Sequence, residues 1–263
     1  MKVKEISGRN NPVFKEFTEL LKGRGVKKSG MTLLSGPKQT SEVLKEFPEQ
    51  CAGVLLPENQ DIPVNKLPAG TTIFRFSLDL FRDIDIYGTD QPILLVRADP
   101  IRWWDNKKWP SGCTLFVPFQ DPANVGAVIR SAAGFGVSRV IILREAANPF
   151  NHKAIRVAGN ALFRIPIFKG PSIHELDKIT FPVITLSPKG INICGYGFPL
   201  TFGLLPGLEG PGLPENLKDS ISLAIPMENC VKSFNSALAT GIALYEWQCG
   251  FTGSQGRIKQ SQL

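Results

Sequence analysis

Apolar residues along this chain fall into two patterns: short unbroken runs, and longer stretches in which they recur every three or four positions. TLFVPF (114–119) and RVIIL (139–143) are of the first kind, the pattern of strands covered on both faces. Between them Val125, Val128, Ile129, Ala132 and Ala133 recur at helical spacing until Gly136 stops the run, and Asp121-Pro122 closes the first strand. Residues 114–143 therefore predict a βαβ unit with a parallel pair of strands.

The remainder repeats these signals. Near the start, Asn11 before Pro12 opens a helix, Val13, Phe14, Phe17, Leu20 and Leu21 form its apolar stripe, and Gly23 and Gly25 stop it. MTLLSG, GVLLP, TIFRF and PILLV read as short strands, with helices over 37–47 and from Ser77. Together they predict a small α/β domain over residues 1–99. DPIRWWDNKKWPSG loses all periodicity and is rich in Trp, Lys, Pro and Gly, so 100–112 reads as a linker docked by its tryptophans. A second α/β domain with a mainly parallel sheet is expected over 113–249. In it HKAIRVAGNALFRIPIF reads as a helix or turn followed by a strand, and FPVITLS, the start of PLTFGLLPGLEGPGLPENL, and SISLAIP read as strands. SFNSALATGIALYEWQ reads as an amphipathic closing helix, and 250–263 as a flexible tail.

Composition narrows the class. Over 263 residues, 43% hydrophobic and 20% charged content is that of an ordinary globular protein with room for two modest domains. A formal net charge of +7 favours a polyanionic partner such as RNA or DNA, although proteins without such partners also carry this excess. The five cysteines are widely spaced without a CxxC pair, and only His152 and His174 are histidines, so neither a zinc site nor a disulfide framework is legible. The first residues lack the apolar core of a signal peptide, and no run of about eighteen apolar residues occurs. The expected location is cytoplasmic, with no membrane partner and no metal.

Several loops could carry chemistry, yet each has an ordinary explanation when taken alone. Asn124 stands at a loop-to-helix corner where Asn often serves only as a cap, and Arg130 falls on another side of the same helix, where a solvated charge is usual. The glycines of GLEGPG at 207, 210 and 212 let backbone approach a ligand and hold Glu209 in a loop past a strand's carboxyl end, where open α/β sheets bind ligands. The spacing is not GxGxxG, no acidic residue follows at the dinucleotide distance, and an ordinary turn would look the same. Ser233 and Asn235 head the last helix, as caps do. Lys22, Arg24, Lys27 and Lys28 cluster around glycines and suit either a phosphate-contacting loop or a solvated turn. Arg156 and Arg164 are available to a ligand or to solvent, and taken alone each favours solvent.

In order along the chain, NVGAVIRSAAGFG, GLEGPGL and IPMENCVKSFNSALATGIALYE resemble the three motifs of the SpoU/TrmH class of RNA ribose 2′-O-methyltransferases, in the SPOUT superfamily. RVAGNALFRIPI is similar to the same family, and ISGRNNPVFKEFTELLKGRG onward resembles the ribosomal-protein-like substrate-binding domain of its rRNA-directed members. The resemblance implies a SPOUT α/β domain tied in a deep trefoil knot, a homodimer, and transfer of methyl from S-adenosyl-L-methionine to a ribose hydroxyl. Residue by residue, Asn124 and Arg130 match the first motif's polar pair, Glu209 the second motif's acid, and Ser233 and Asn235 the third motif's polar pair. Cofactor contacts would come mostly from backbone at Gly207, Ile225, Met227 and Phe234. Ala237 stands where the family often has a second serine. The chemistry needs in-line positioning and removal of one proton, without metal or covalent intermediate. Because an arginine stays protonated at physiological pH, Arg130 fits holding a phosphate and the 2′-oxygen, with the phosphate assisting proton removal, better than acting as the base itself. The expected substrate is rRNA, of the large subunit. A tRNA substrate and a catalytically silent RNA-binding relative are the alternatives, and a dinucleotide enzyme lacks its fingerprint.

Overall fold

The strand β1 (Lys2–Ile6) buries only Ile6 and exposes or half-exposes the rest, so no apolar periodicity announces it. It forms the edge of a five-stranded sheet and pairs in parallel with β4 (Thr72–Phe76); its lysines discourage further pairing. The order is completed by β3 (Cys51–Pro57), β5 (Ile93–Arg97) and β2 (Met31–Leu34), with β5 antiparallel to both neighbours. In this computed structural model, residues 2–62, 67–179, 181–207, 217, 220–228, 230 and 233–255 are described. They pack as two units, Met1–Pro100 joined by Asn148–Phe163, and Ile101–Ala147 joined by Arg164–Leu263.

In the first unit α1 (Pro12–Leu21) starts as its sequence predicts. Asn11 Oδ1 accepts the Val13 amide at 2.9 Å, and Phe14, Phe17 and Leu20 enter the core, Phe17 meeting Phe74 edge-on with ring centres 5.0 Å apart. The stretch 148–163 belongs here rather than with the residues on either side of it, a departure from the undivided 113–249 domain expected from sequence. Its helix α6 (His152–Ala158) is capped by Asn151 and buries His152, Ala154, Ile155 and Ala158. Thr32 donates its hydroxyl to Phe150 O at 2.7 Å, and Asn160 Nδ2 donates to Glu46 Oε2 at 2.7 Å. Tyr87 and His152 Nδ1 share a hydrogen bond of 3.1 Å, and the Arg156 guanidinium lies 3.9 Å from the Tyr87 ring centre.

The second unit has a six-stranded sheet whose paired neighbours are all parallel. It is built from β6 (Gly112–Val117), β7 (Arg139–Ile142), β8 (Ile167–Lys169), β9 (Val183–Asn192), β10 (Thr201–Leu205) and β11 (Ile221–Ala224) in the order β11-β9-β10-β6-β7-β8. The βαβ unit read from sequence is β6, α5 (Pro122–Gly134) and β7. Asp121 Oδ1 accepts the Ala123 amide at 3.0 Å, and Val125, Val128, Ile129 and Ala132 face the core. Gly136, with φ 69°, turns the chain after α5 in a conformation that side chains avoid.

Two expectations change in this unit. The closing helix α8 (Ser236–Gln255) takes in 250–255, which sequence assigned to the tail; residues 256–263 of that expected tail lie outside the described residues. Nor is its apolar surface confined to one stripe: Ala243, Leu244 and Trp247 are buried while Leu238 and Tyr245 are exposed. Residues 101–112 go with the second unit. Trp104 N donates to Lys169 O at 2.9 Å and Lys169 N to Arg102 O at 2.8 Å, adding a short rung beside β8. Trp104 and Trp109 pack on Phe116, the docking expected of them. Among the described residues no helix is long and apolar enough to cross a membrane.

Candidate functional site

Two strands of the second sheet end at one cavity of about 490 Å³, and the middle of a third passes along it, in the region where open parallel sheets hold ligands. β9 contributes Leu186, Ser187 and Pro188, the end of β10 leads into Pro206 and Gly207, and the end of β11 leads into Ile225 and Met227. Ser233, Phe234, Asn235 and the first turn of α8 close the remaining side. Of the nine site residues read from sequence, Gly207, Ile225, Met227, Ser233, Phe234 and Asn235 thus meet around a single space. A Cβ at Gly207 would stand 3.2 Å from Leu186 O, so the glycine lets this strand-end backbone lie close to β9.

Asn235 uses both ends of its side-chain amide. Its Oδ1 accepts the amides of Ala237 at 2.9 Å and Leu238 at 3.2 Å, capping α8, while its Nδ2 donates to Asn124 Oδ1 at 3.1 Å. The third-motif asparagine therefore ties the start of α8 to the first turn of α5, and brings Asn124 to the margin of the cavity. Arg130 is not among the lining residues. It is exposed, about 60° round α5 from Ala127. Ala127 itself lines a shallow groove between α5 and α8, with Asn124, Ser131 and Tyr245. Within this groove Leu238 is 53% and Tyr245 55% exposed. Glu209 lies outside the described residues.

The described lining contains no ionisable side chain. Its walls are apolar at Leu223, Ile225, Met227 and Phe234, with hydroxyls at Ser187, Ser233 and Ser236 and the Asn235 amide. Such a space can bind and orient a ligand with a flat apolar part and several polar edges, and none of its described lining residues is placed to take up a proton. Sequence reasoning missed Leu186, Ser187, Pro188, Leu223 and Ala239. Only a weak signal was present for the first three: Leu186 and Ser187 end the predicted strand FPVITLS and Pro188 follows it, whereas β9 runs on through them to Asn192. Ala237 is buried under its cap, so the position of the family's second serine faces protein packing.

Residues 114–245 match the SpoU rRNA Methylase family. The chain belongs to that family. The SpoU match begins at β6, takes in α5 and β7, and ends within α8, so it includes every strand end around the cavity. The chain is 43% identical over 245 residues to a Syntrophobacter fumaroxidans protein called ribosomal RNA small subunit methyltransferase G 2, covering 93% of this chain but 49% of that one. It therefore spans about half the length of that relative, whose name applies to its whole length. To the Bacillus subtilis 23S rRNA (guanosine(2553)-2′-O)-methyltransferase RlmP it is 26% identical over 257 residues, covering 92% of this chain and 98% of the other. Among solved structures, the AdoMet-bound rRNA methyltransferase of Sinorhizobium meliloti shares the fold with a TM-score of 0.75 at 21% identity, over 94% of this SpoU chain and 98% of that one.

Proposed function

We propose that this SpoU family member transfers a methyl group from S-adenosyl-L-methionine to a ribose 2′-hydroxyl of RNA, and that its substrate is large-subunit ribosomal RNA. One observation carries the reading: six residues from separate motifs line a single cavity at the carboxyl ends of a parallel sheet. The Bacillus relative, which this chain matches over nearly its full length, is named for 2′-O-methylation of 23S rRNA, and the Sinorhizobium protein is AdoMet-bound. The small-subunit name belongs to a protein twice as long and weighs less. Action on ribosomal RNA implies a cytoplasmic location. The trefoil knot implied by the resemblance is part of the proposal.

The donor set suits the cofactor. Leu223, Ile225, Met227 and Phe234 offer apolar walls for an adenosine, while Gly207 admits close backbone contacts. When bound, the cofactor supplies an electrophilic sulfonium methyl. What the chain must add is alignment of the 2′-oxygen and stabilisation of its developing charge. In this reading Asn235 and Asn124 hold the start of α8 in register with α5, Ser233 contacts ligand at the cavity edge, and Glu209 acts as the second motif's acid. Arg130 receives the phosphate and 2′-oxygen with its forked donors. Since Arg130 is absent from the lining of its own cavity, we assign it to the cavity of a second copy, brought near when the α5–α8 groove is covered in a homodimer.

The test is incubation of the purified chain with labelled S-adenosyl-L-methionine and protein-free ribosomal RNA, followed by mapping of ribose methylation. One or a few modified riboses in large-subunit RNA are expected. Modification of tRNA alone would move the substrate, and cofactor binding without transfer to any RNA would return the silent-relative reading. Arg130→Lys is expected to slow single-turnover transfer by roughly 10²–10³-fold while leaving cofactor affinity unchanged. Equal rates would remove Arg130 from the catalytic set.

A further inference from the structure

Arg139 opens β7 and is only 7% exposed, yet among the described residues no carboxylate lies within ion-pairing distance of it. Its Nε donates to Thr114 Oγ1 at 3.2 Å, and its guanidinium lies 5.7 Å and 5.4 Å from the ring centres of Trp104 and Trp109. Nη2 is buried without a hydrogen bond, as is Trp104 Nε1 in the same cluster. Indole faces attract a cation but do not replace hydrogen-bond acceptors, and a buried charge without them is costly. The cost has an outlet. Arg139, Lys108, Trp109 and Ser138 line a cavity of about 590 Å³ at the amino ends of β7 and β8. Beside it, the segment RWWDNKKW exposes Arg102, Lys107 and Lys108, and holds the indole of Trp103 66% exposed.

We propose that this cavity and its rim form a second RNA site, in which a backbone phosphate sits against Arg139 and Lys108 while a base stacks on Trp103. Interleaved cations and exposed aromatic rings are what single-stranded nucleic acid requires, because every nucleotide brings one charge and one flat face. An acidic peptide would meet the cations but leave Trp103 without a partner. The site is separate from the cofactor cavity: the two share no lining residue, one lying where β7 and β8 begin and the other where β10 and β11 end. It would hold RNA flanking the methylated nucleotide, and it rests on the reading that RNA is the substrate.

The test is binding of a fluorescein-labelled single-stranded poly(uridylate) oligonucleotide over a range of salt concentrations. It compares the whole protein with Arg102→Ala/Lys107→Ala/Lys108→Ala, Trp103→Ala and Arg139→Met, with cofactor binding and methyl transfer to ribosomal RNA measured for the wild type in parallel. The triple variant should lower the slope of log affinity against log salt by roughly 0.7 for each phosphate it no longer neutralises. Trp103→Ala should weaken binding by roughly 5- to 150-fold. Arg139→Met should weaken RNA binding while holding or raising the melting temperature, because replacing a buried charge by an apolar side chain relieves desolvation. A purely structural Arg139 predicts the reverse: a lower melting temperature with RNA affinity intact. If the wild type binds RNA and transfers methyl while all three variants bind as it does, the second site is overturned and the methyltransferase reading stands. RNA binding by the variants at full strength together with lost binding of poly-glutamate would likewise overturn it, in favour of an acidic protein segment. Wild-type binding that the variants lose, without methyl transfer to any RNA, would support the site and overturn the methyltransferase reading.

Discussion

Asn235 does two jobs with one amide, and they can be separated. Asn235→Ala removes both the cap and the link to Asn124, so we expect a loss of about 1 kcal/mol and a melting temperature lower by roughly 3 °C. Asn235→Ser keeps a capping oxygen but is too short to reach Asn124. It should restore the melting temperature without restoring transfer, a split readable by calorimetry beside single-turnover kinetics. His152 is the titrating residue to watch. Burial, reinforced by the charge of Lys153, holds its pKa below the ordinary 6.5, so the neutral ring is the folded form. A depressed value means that its contribution is present above pH 6.5 and lost as pH falls from there through the folded value. Denaturation between pH 7.5 and 5, at roughly half-unit steps, should show a steeper loss for wild type than for His152→Gln; parallel curves would remove His152 as the cause. At this scale the sequence was informative about identity and poor about role. Asn235 was legible as a cap because Asn precedes an apolar run, but its second bond depends on a residue in another helix. Arg139 carries no such signal, because a charge at the head of a strand looks solvated.

The helices α5 and α8 differ in how much of themselves they reveal. α5 was legible because one face is buried against the sheet and Gly136 ends it. α8 was expected from Ser233, three residues before its start at Ser236, and given too short an end, since GFTGSQ carries glycines that usually stop a helix, and its apolar residues face more than one direction. β1 was missed for the opposite reason: an edge strand with one buried residue has no pattern to read. The apolar residues of α8 left exposed mark the groove that includes Leu238 and Tyr245, the latter resting edge-on against Phe135. Leu238→Glu should therefore yield a monomer by light scattering at micromolar concentration, with transfer strongly reduced and the melting temperature little changed. An active monomeric wild type would overturn the homodimer.

For the molecule as a whole, the decisive feature is that α6 and its flanks belong to the first unit although they lie within the sequence of the second. Sequence could not reveal this, because HKAIRVAG has the same half-apolar spacing whichever core receives it. A fragment of residues 101–263 should expose Ile155 and its neighbours, bind a hydrophobic dye and aggregate. Replacing 148–163 in that fragment by a Gly/Ser linker should restore solubility; equal solubility of the two fragments would show that the segment needs no cover. The same interleaving governs what a ribosome releases when synthesis stops early. A chain ending anywhere between residues 100 and 147 has neither the closing helix of its first unit nor more than two strands of its second sheet. Central β6 must wait for β10, which is made much later, with an unpaired edge exposed meanwhile. An abortive product, with its first unit unclosed and its second sheet begun but unpaired, should thus be a substrate for proteases and chaperones rather than a stable half-protein.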